Sequence, residues 1–110
     1  MNIQIFGRSK CFDSKKAERY FKERRIKYQY IDIDRYGMSR GELASVRSAV
    51  GLEAVMNEKA ADYALLQYLA YDEDKFGKLL EDPRLIKTPV VRNGKKATVG
   101  YAPEIWKDWE

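Results

Sequence analysis

Met1-Asn2-Ile3-Gln4-Ile5-Phe6-Gly7, the run Asp13 to Arg25, and Tyr28-Gln29-Tyr30-Ile31-Asp32-Ile33 together decide the fold. The first stretch alternates with strand period, with Ile3 and Ile5 on one face, and Gly7 ends it. Asp13 and Ser14 offer N-caps. Ala17, Tyr20, Phe21 and Arg24 then recur at i, i+3, i+4, i+7, which predicts an amphipathic helix over 14–25. Tyr28 to Ile33 is rich in aromatic and β-branched residues and reads as a second strand. A strand, a helix and a strand by residue 33 make a βαβ unit, with parallel strands and a right-handed crossover.

The far end of the chain supplies the complement. Thr88-Pro89-Val90-Val91-Arg92 is an extended run, Asn93-Gly94 signals a type I′ hairpin turn, and Lys96 to Val99 forms the returning strand before Gly100. Ala102-Pro103-Glu104 opens a last helix, with Pro at its start and an acid in its first turn. Trp106 and Trp109 stand three apart on it and read as packing residues. Between these ends, residues 35–83 read as helical. Ser39-Arg40-Gly41-Glu42 is a capping box with Leu43, Val46 and Val50 behind it, and Gly51 is a stop. Glu58 to Ala70 carries Ala61, Leu65, Leu66 and Leu69, and Asp74 to Leu80 is a shorter helical piece. No repeat or low-complexity tract interrupts the chain. The expectation is a single α/β domain over 1–110 with a thioredoxin-like fold. A βαβ and a ββα unit would share a four-stranded mixed sheet, with a helical insertion over about 35–83 packed on the same core.

The composition narrows the function. The 110 residues carry 21 basic and 17 acidic side chains, a net charge of +4, and the charges are interspersed. That pattern gives no basic stripe for direct nucleic-acid binding. The densest run, Lys22-Glu23-Arg24-Arg25, reads as the solvated end of a helix. No apolar run approaches the ~18 residues of a membrane span, and the alternating N-terminus is not a signal peptide, so the expected location is the cytoplasm. The chain has one cysteine and no histidine. Ser-His-Asp and Cys-His machinery is excluded, as are a cysteine-rich zinc site and an internal disulfide. No bound metal or cofactor is expected.

Cys11 is left as the reactive group. It stands between the first strand and the first helix, where free backbone N–H groups and the helix dipole favour thiolate. Arg8, Lys10 and Lys15 add positive charge nearby, and Asp13 opposes them unless it turns to cap the helix. Cys11-Phe12-Asp13-Ser14 is a C-x-x-S motif, and Ser14 cannot resolve a mixed disulfide. Any disulfide exchange is therefore monothiol and needs an outside thiol such as glutathione. Pro89 follows Thr88 at a strand start. In the thioredoxin layout this proline is cis and faces the cysteine, which leaves the Thr88 backbone free to pair with an extended thiol substrate.

The assembled motifs resemble the glutaredoxin-coupled arsenate reductase family, which includes relatives of unknown substrate and transcriptional regulators that bind RNA polymerase. The matching pieces are Ile5-Phe6-Gly7 leading to Cys11, Asp13-Ser14-Lys15-Lys16-Ala17, Tyr30-Ile31-Asp32, the helical insertion, Leu85-Ile86-Lys87-Thr88-Pro89-Val90-Val91 and Val99-Gly100-Tyr101. The resemblance implies a nucleophilic Cys11, an oxyanion or small-thiol substrate, and glutathione and glutaredoxin as reducing partners. It also implies a clamp of three arginines, since guanidinium groups hold oxyanions bidentately. Thr88, Tyr101 and Asn57 stand where those arginines belong, which weighs against efficient arsenate reduction. Arg92 and Lys87 are the candidate replacements.

Lys10, Ser14, Lys15, Thr88, Pro89 and Arg92 are thus the candidate substrate- or thiol-binding residues around Cys11. The alternatives are a regulator-type module that binds an RNA polymerase subunit without redox chemistry, and a family member without catalysis. The regulators carry C-x-x-C in their redox-switched form, so Ser14 removes that switch here.

Overall fold

The computed structural model describes residues 1–110. Its four strands are β1 (Ile3–Gly7), β2 (Tyr28–Asp32), β3 (Val90–Asn93) and β4 (Lys96–Val99), arranged in one sheet in the order β2-β1-β3-β4. β1 runs parallel to β2, and the β1–β3 and β3–β4 pairs are antiparallel. The βαβ unit closes through α1 (Phe12–Glu23), and the ββα unit ends on α7 (Pro103–Trp106). This is the expected mixed sheet of a thioredoxin-like fold.

Strand alternation splits the core in two. Ile3, Ile5 and Val91 face one side, where Ala17, Tyr20 and Phe21 of α1 and Trp106 of α7 cover them. Trp106 is fully buried and donates from Nε1 to Thr98 Oγ1 at 2.7 Å, which satisfies its one polar atom. Phe6 and Val90 face the other side. There the insertion builds a separate, larger core from Ile33, Met38, Leu43, Val46, Val55, Leu66, Phe76, Leu79 and their neighbours. The insertion therefore does not join the α1 core as expected. The period-two side-chain alternation gives it the opposite face.

The insertion consists of α2 (Ile33–Tyr36), α3 (Arg40–Val50), α4 (Leu52–Val55), α5 (Tyr63–Gln67) and α6 (Asp72–Glu81). The Ser39–Glu42 capping box is formed in both directions. Other details differ from expectation. β2 ends at Asp32, because its carboxylate accepts the Asp34 N–H and starts α2 at Ile33. Residues 58–70 yield only the short α5. The Asn57 side chain accepts the Lys59 N–H, and turns at Ala60 and Tyr63 use backbone that a helix would need. Leu65 is exposed and only Leu66 is buried there. α6 is longer than expected, with Asp72, Glu73 and Asp74 at the positive end of its dipole. The hairpin turn is Gly94-Lys95, since Asn93 pairs with Lys96 as the last rung. Only Gly94 has positive φ (62°), the pattern of a type II′ turn and not of type I′. No helix is long and apolar enough to cross a membrane.

Candidate functional site

Cys11 is itself the N-cap of α1, with φ −99° and ψ 114°. The helix begins at Phe12, two residues before the expected start, so neither Asp13 nor Ser14 serves as the cap. Cys11 N–H donates to Arg8 C=O at 3.0 Å, and Cys11 C=O accepts the first helical N–H from Lys15 at 3.3 Å. The sulfur thus lies at the open amino end of a twelve-residue helix.

Ser14 is fully buried one turn into the helix. Its Oγ accepts the Arg8 N–H at 3.3 Å, which leaves the hydroxyl proton free to turn toward the sulfur. Gly7 makes room for this contact. A Cβ there would stand 2.9 Å from Ser14 Oγ and 2.7 Å from the Tyr30 hydroxyl. The peptide bond between Thr88 and Pro89 is cis. The Thr88 carbonyl lies 3.6 Å from the Cys11 sulfur, where it accepts from the protonated thiol.

Burial pushes the Cys11 thiol up, and it is the largest single influence. Hydrogen bonds to sulfur from the Ser14 and Thr88 side chains and from the Ser14 and Asp13 backbone together outweigh it, so the thiol sits below its ordinary value. The Thr88 carbonyl serves the thiol form, whereas the two hydroxyls and the amides serve the thiolate.

The sulfur opens on a hollow of about 550 Å³. Its opposite wall comes from the insertion. Met56 and Ile86 form an antiparallel bridge, and Asn57 N–H to Leu85 C=O (2.8 Å) and Lys87 N–H to Val55 C=O (2.7 Å) extend it. This short ladder places Lys59 and Lys87 on the lining of the same hollow as Lys10 and Cys11. None of the three lysines has a carboxylate within 4.0 Å, although Asp13 and Glu58 also line the rim. Lys59 did not stand out in the sequence, because its approach depends on that bridge alone.

The other candidate residues are placed unevenly. Lys10, Ser14 and Thr88 surround Cys11, and Pro89 is buried beside Thr88. Lys15 turns outward, with its ammonium 5.9 Å from the Phe12 ring centre, and lies outside the hollow. Arg92 lies at the other end of β3, paired in register with Gln4. It donates to Gln4 Oε1 at 2.7 Å and approaches Glu42 at 4.0 Å. Three residues of strand beyond Pro89 carry it about 10 Å from the thiol end, so it does not replace a clamp arginine. Of the positions that would carry the clamp, only Thr88 and Asn57 line the hollow. Tyr101 packs instead against Trp106 and Lys16. The one guanidinium at the hollow is that of Arg8. It is held by Asp34 and by the carbonyls of Pro83 and Ile86.

Comparison with known proteins agrees with this arrangement. The chain is 31% identical over 107 residues to the global transcriptional regulator Spx 2 of Oceanobacillus iheyensis, covering 92% of this chain and 78% of that protein. The structure of an arsenate reductase from Vibrio cholerae superposes with a TM-score of 0.85 at 25% identity, covering 98% and 97% of the two chains. The glutaredoxin-like NrdH-redoxin of Escherichia coli shares the fold alone, at a TM-score of 0.54 and 16% identity over 100% and 96% of the chains. Residues 6–109 match the ArsC family along nearly the whole length. With its thioredoxin-like sheet and its cysteine at the first helix, the chain belongs to the ArsC family.

Proposed function

We propose that this protein is a monothiol oxidoreductase of the cytoplasm in which Cys11 exchanges disulfides with a small anionic thiol of the glutathione class. The Cys11 thiolate attacks one sulfur of a disulfide, forms a mixed disulfide and releases the other sulfur as a thiolate. A second small thiol, deprotonated, attacks the small-thiol sulfur of that mixed disulfide. This step returns Cys11 as thiolate and forms a new small-molecule disulfide. Over the cycle the substrate disulfide and one outside thiolate become a released thiolate and a new disulfide, and Cys11 ends unchanged. Ser14 takes no covalent part and holds the thiolate by a hydrogen bond.

The observation that carries this reading is the place of one part-exposed sulfur at the open amino end of a twelve-residue helix, against the Thr88 backbone at 3.6 Å, with the thiol held below its ordinary value. Lys10, Lys59 and Lys87 supply the charge that a carboxylate-bearing thiol would meet. A free guanidinium for arsenate is absent, so a thiol or disulfide is the better-matched substrate. The test is the rate of Cys11 alkylation by iodoacetamide between about pH 4 and 9, followed by incubation with oxidised glutathione and mass measurement. A midpoint below the ordinary ~8.5, with one glutathione adduct that Cys11→Ser abolishes, is expected. An ordinary midpoint with no adduct would sink the reading.

The second reading is a regulator-type module that binds an RNA polymerase subunit. The 31% identity to a global transcriptional regulator favours it, as does the missing arginine clamp. Capture of a polymerase subunit at physiological salt, equally by wild type and Cys11→Ser, would select it. Failure of capture would remove it.

A further inference from the structure

Arg8 was notable in the sequence only as one of three cations near Cys11, yet it has more partners than either lysine. Nε points between both Asp34 carboxylate oxygens, 3.0 Å from each. Nη1 donates to Ile86 C=O at 3.1 Å, and Nη2 donates to Pro83 C=O at 2.9 Å. The side chain is largely buried, at 18% exposure. Its fork is therefore spent on protein groups and has little left for a ligand.

These partners belong to segments far apart in sequence. Asp34 lies in the first turn of α2, and Pro83 and Ile86 belong to the stretch that ends at Thr88. The Arg8 backbone meanwhile holds the thiol loop, accepting from Cys11 N–H and donating to Ser14 Oγ. One residue thus grips both sides of the sulfur, the loop through its main chain and the Thr88 side through its guanidinium. Ile86 is the last carbonyl so held before Thr88. We propose that Arg8 is a positioning residue: its guanidinium straps the 83–88 segment to the loop that carries Cys11, and so sets where Thr88 stands against the sulfur. The proposal rests on the reading of Cys11 as the reactive thiol.

The planar fork is the operative feature. A lysine at this position keeps the charge but offers a point ammonium that cannot span a carboxylate and two carbonyls in fixed directions. The strap therefore predicts that charge alone does not rescue.

The test compares wild type, Arg8→Lys, Arg8→Met and Thr88→Val by the pH profile of Cys11 alkylation, with thermal unfolding alongside. Arg8→Lys and Arg8→Met should each raise the midpoint by about half a pH unit, so that alkylation below the midpoint slows about threefold. Thr88→Val should raise it too. Arg8→Lys combined with Thr88→Val should add little beyond the larger single effect, because both remove the same contact. If Arg8→Met does not fold, Arg8→Lys carries the test by itself. A wild-type midpoint below the ordinary value that stays put in Arg8→Lys would overturn the strap and leave the proposed function standing. Full additivity with Thr88→Val would overturn it equally. An ordinary midpoint in wild type would overturn both.

Discussion

The two faces of the sheet are covered in different ways, and the thiol sits where they meet. On the face of Ile3, Ile5 and Val91 the cover is aromatic. Tyr20, Phe21 and Trp106 stand with ring centres 5.1 to 5.2 Å apart, mostly edge to face. On the face of Phe6 and Val90 the cover is mainly aliphatic and comes from many short helices. The aromatic face fixes α1, whose amino end holds Cys11. The aliphatic face carries the far wall with Lys59 and Lys87. The chemistry of the sulfur and the choice of what reaches it are thus assigned to different halves of the core.

Substitutions should separate the halves. The largest effect is expected from Trp106→Ala, which removes a fully buried indole in contact with three aromatic neighbours and leaves Thr98 Oγ1 without its donor. A loss of about 3–5 kcal/mol in denaturant unfolding is expected. Leu79→Ala on the aliphatic face should cost about 2–5 kcal/mol by the same cavity mechanism. Its alkylation midpoint should stay at the wild-type value, since no residue of α6 lines the hollow at the sulfur. A midpoint shift in folded Leu79→Ala would break the division between the faces.

Smaller effects sharpen it. Lys59→Ala and Lys87→Ala should each weaken the rate of glutathione adduct formation by about two- to fivefold, the scale of an exposed charge contact. Raised salt should level wild type with both variants. An unchanged rate in both would show that the lysine wall does not select the thiol.

The same division explains what the sequence disclosed. β1, α1 and the returning hairpin follow from contiguous patterns: Ile3 and Ile5 alternate, and Ala17, Tyr20 and Phe21 recur at helical spacing. Cys11 was legible because a strand end and a helix start bracket it. The insertion was legible as helical but not in detail, since Asn57 and Asp32 divert backbone hydrogen bonds through their side chains. Lys59 and the role of Arg8 were hidden, because each depends on contacts with the 83–87 stretch, which is remote in sequence. Arg92 misled in the opposite sense. It is close to Pro89 in sequence, but an extended strand carries it toward Gln4.

The smallest effects are two titrations of opposite sign. The Cys11 thiol lies below its ordinary value when folded, because hydrogen bonds to the thiolate outweigh burial. The unfolded chain then binds more protons through the interval, so folding stability rises with pH. The contribution is complete above the unfolded value of ~8.5 and disappears as pH falls through the folded value. Tyr28 behaves in reverse. Burial, with the hydrogen bond its hydroxyl donates to Glu18 at 2.9 Å, pushes it up to about 12 from 10.0. Its contribution is complete below the unfolded value and is lost as pH climbs through the folded one. Stability differences from Cys11→Ser and from Tyr28→Phe should therefore run in opposite directions, measured by urea unfolding from about pH 6 to 11. The Cys11→Ser difference should grow with pH and level off near 8.5, whereas the Tyr28→Phe difference should stay flat to about 10 and then shrink. A Cys11→Ser difference that is flat throughout would mean that the folded protein does not favour the thiolate.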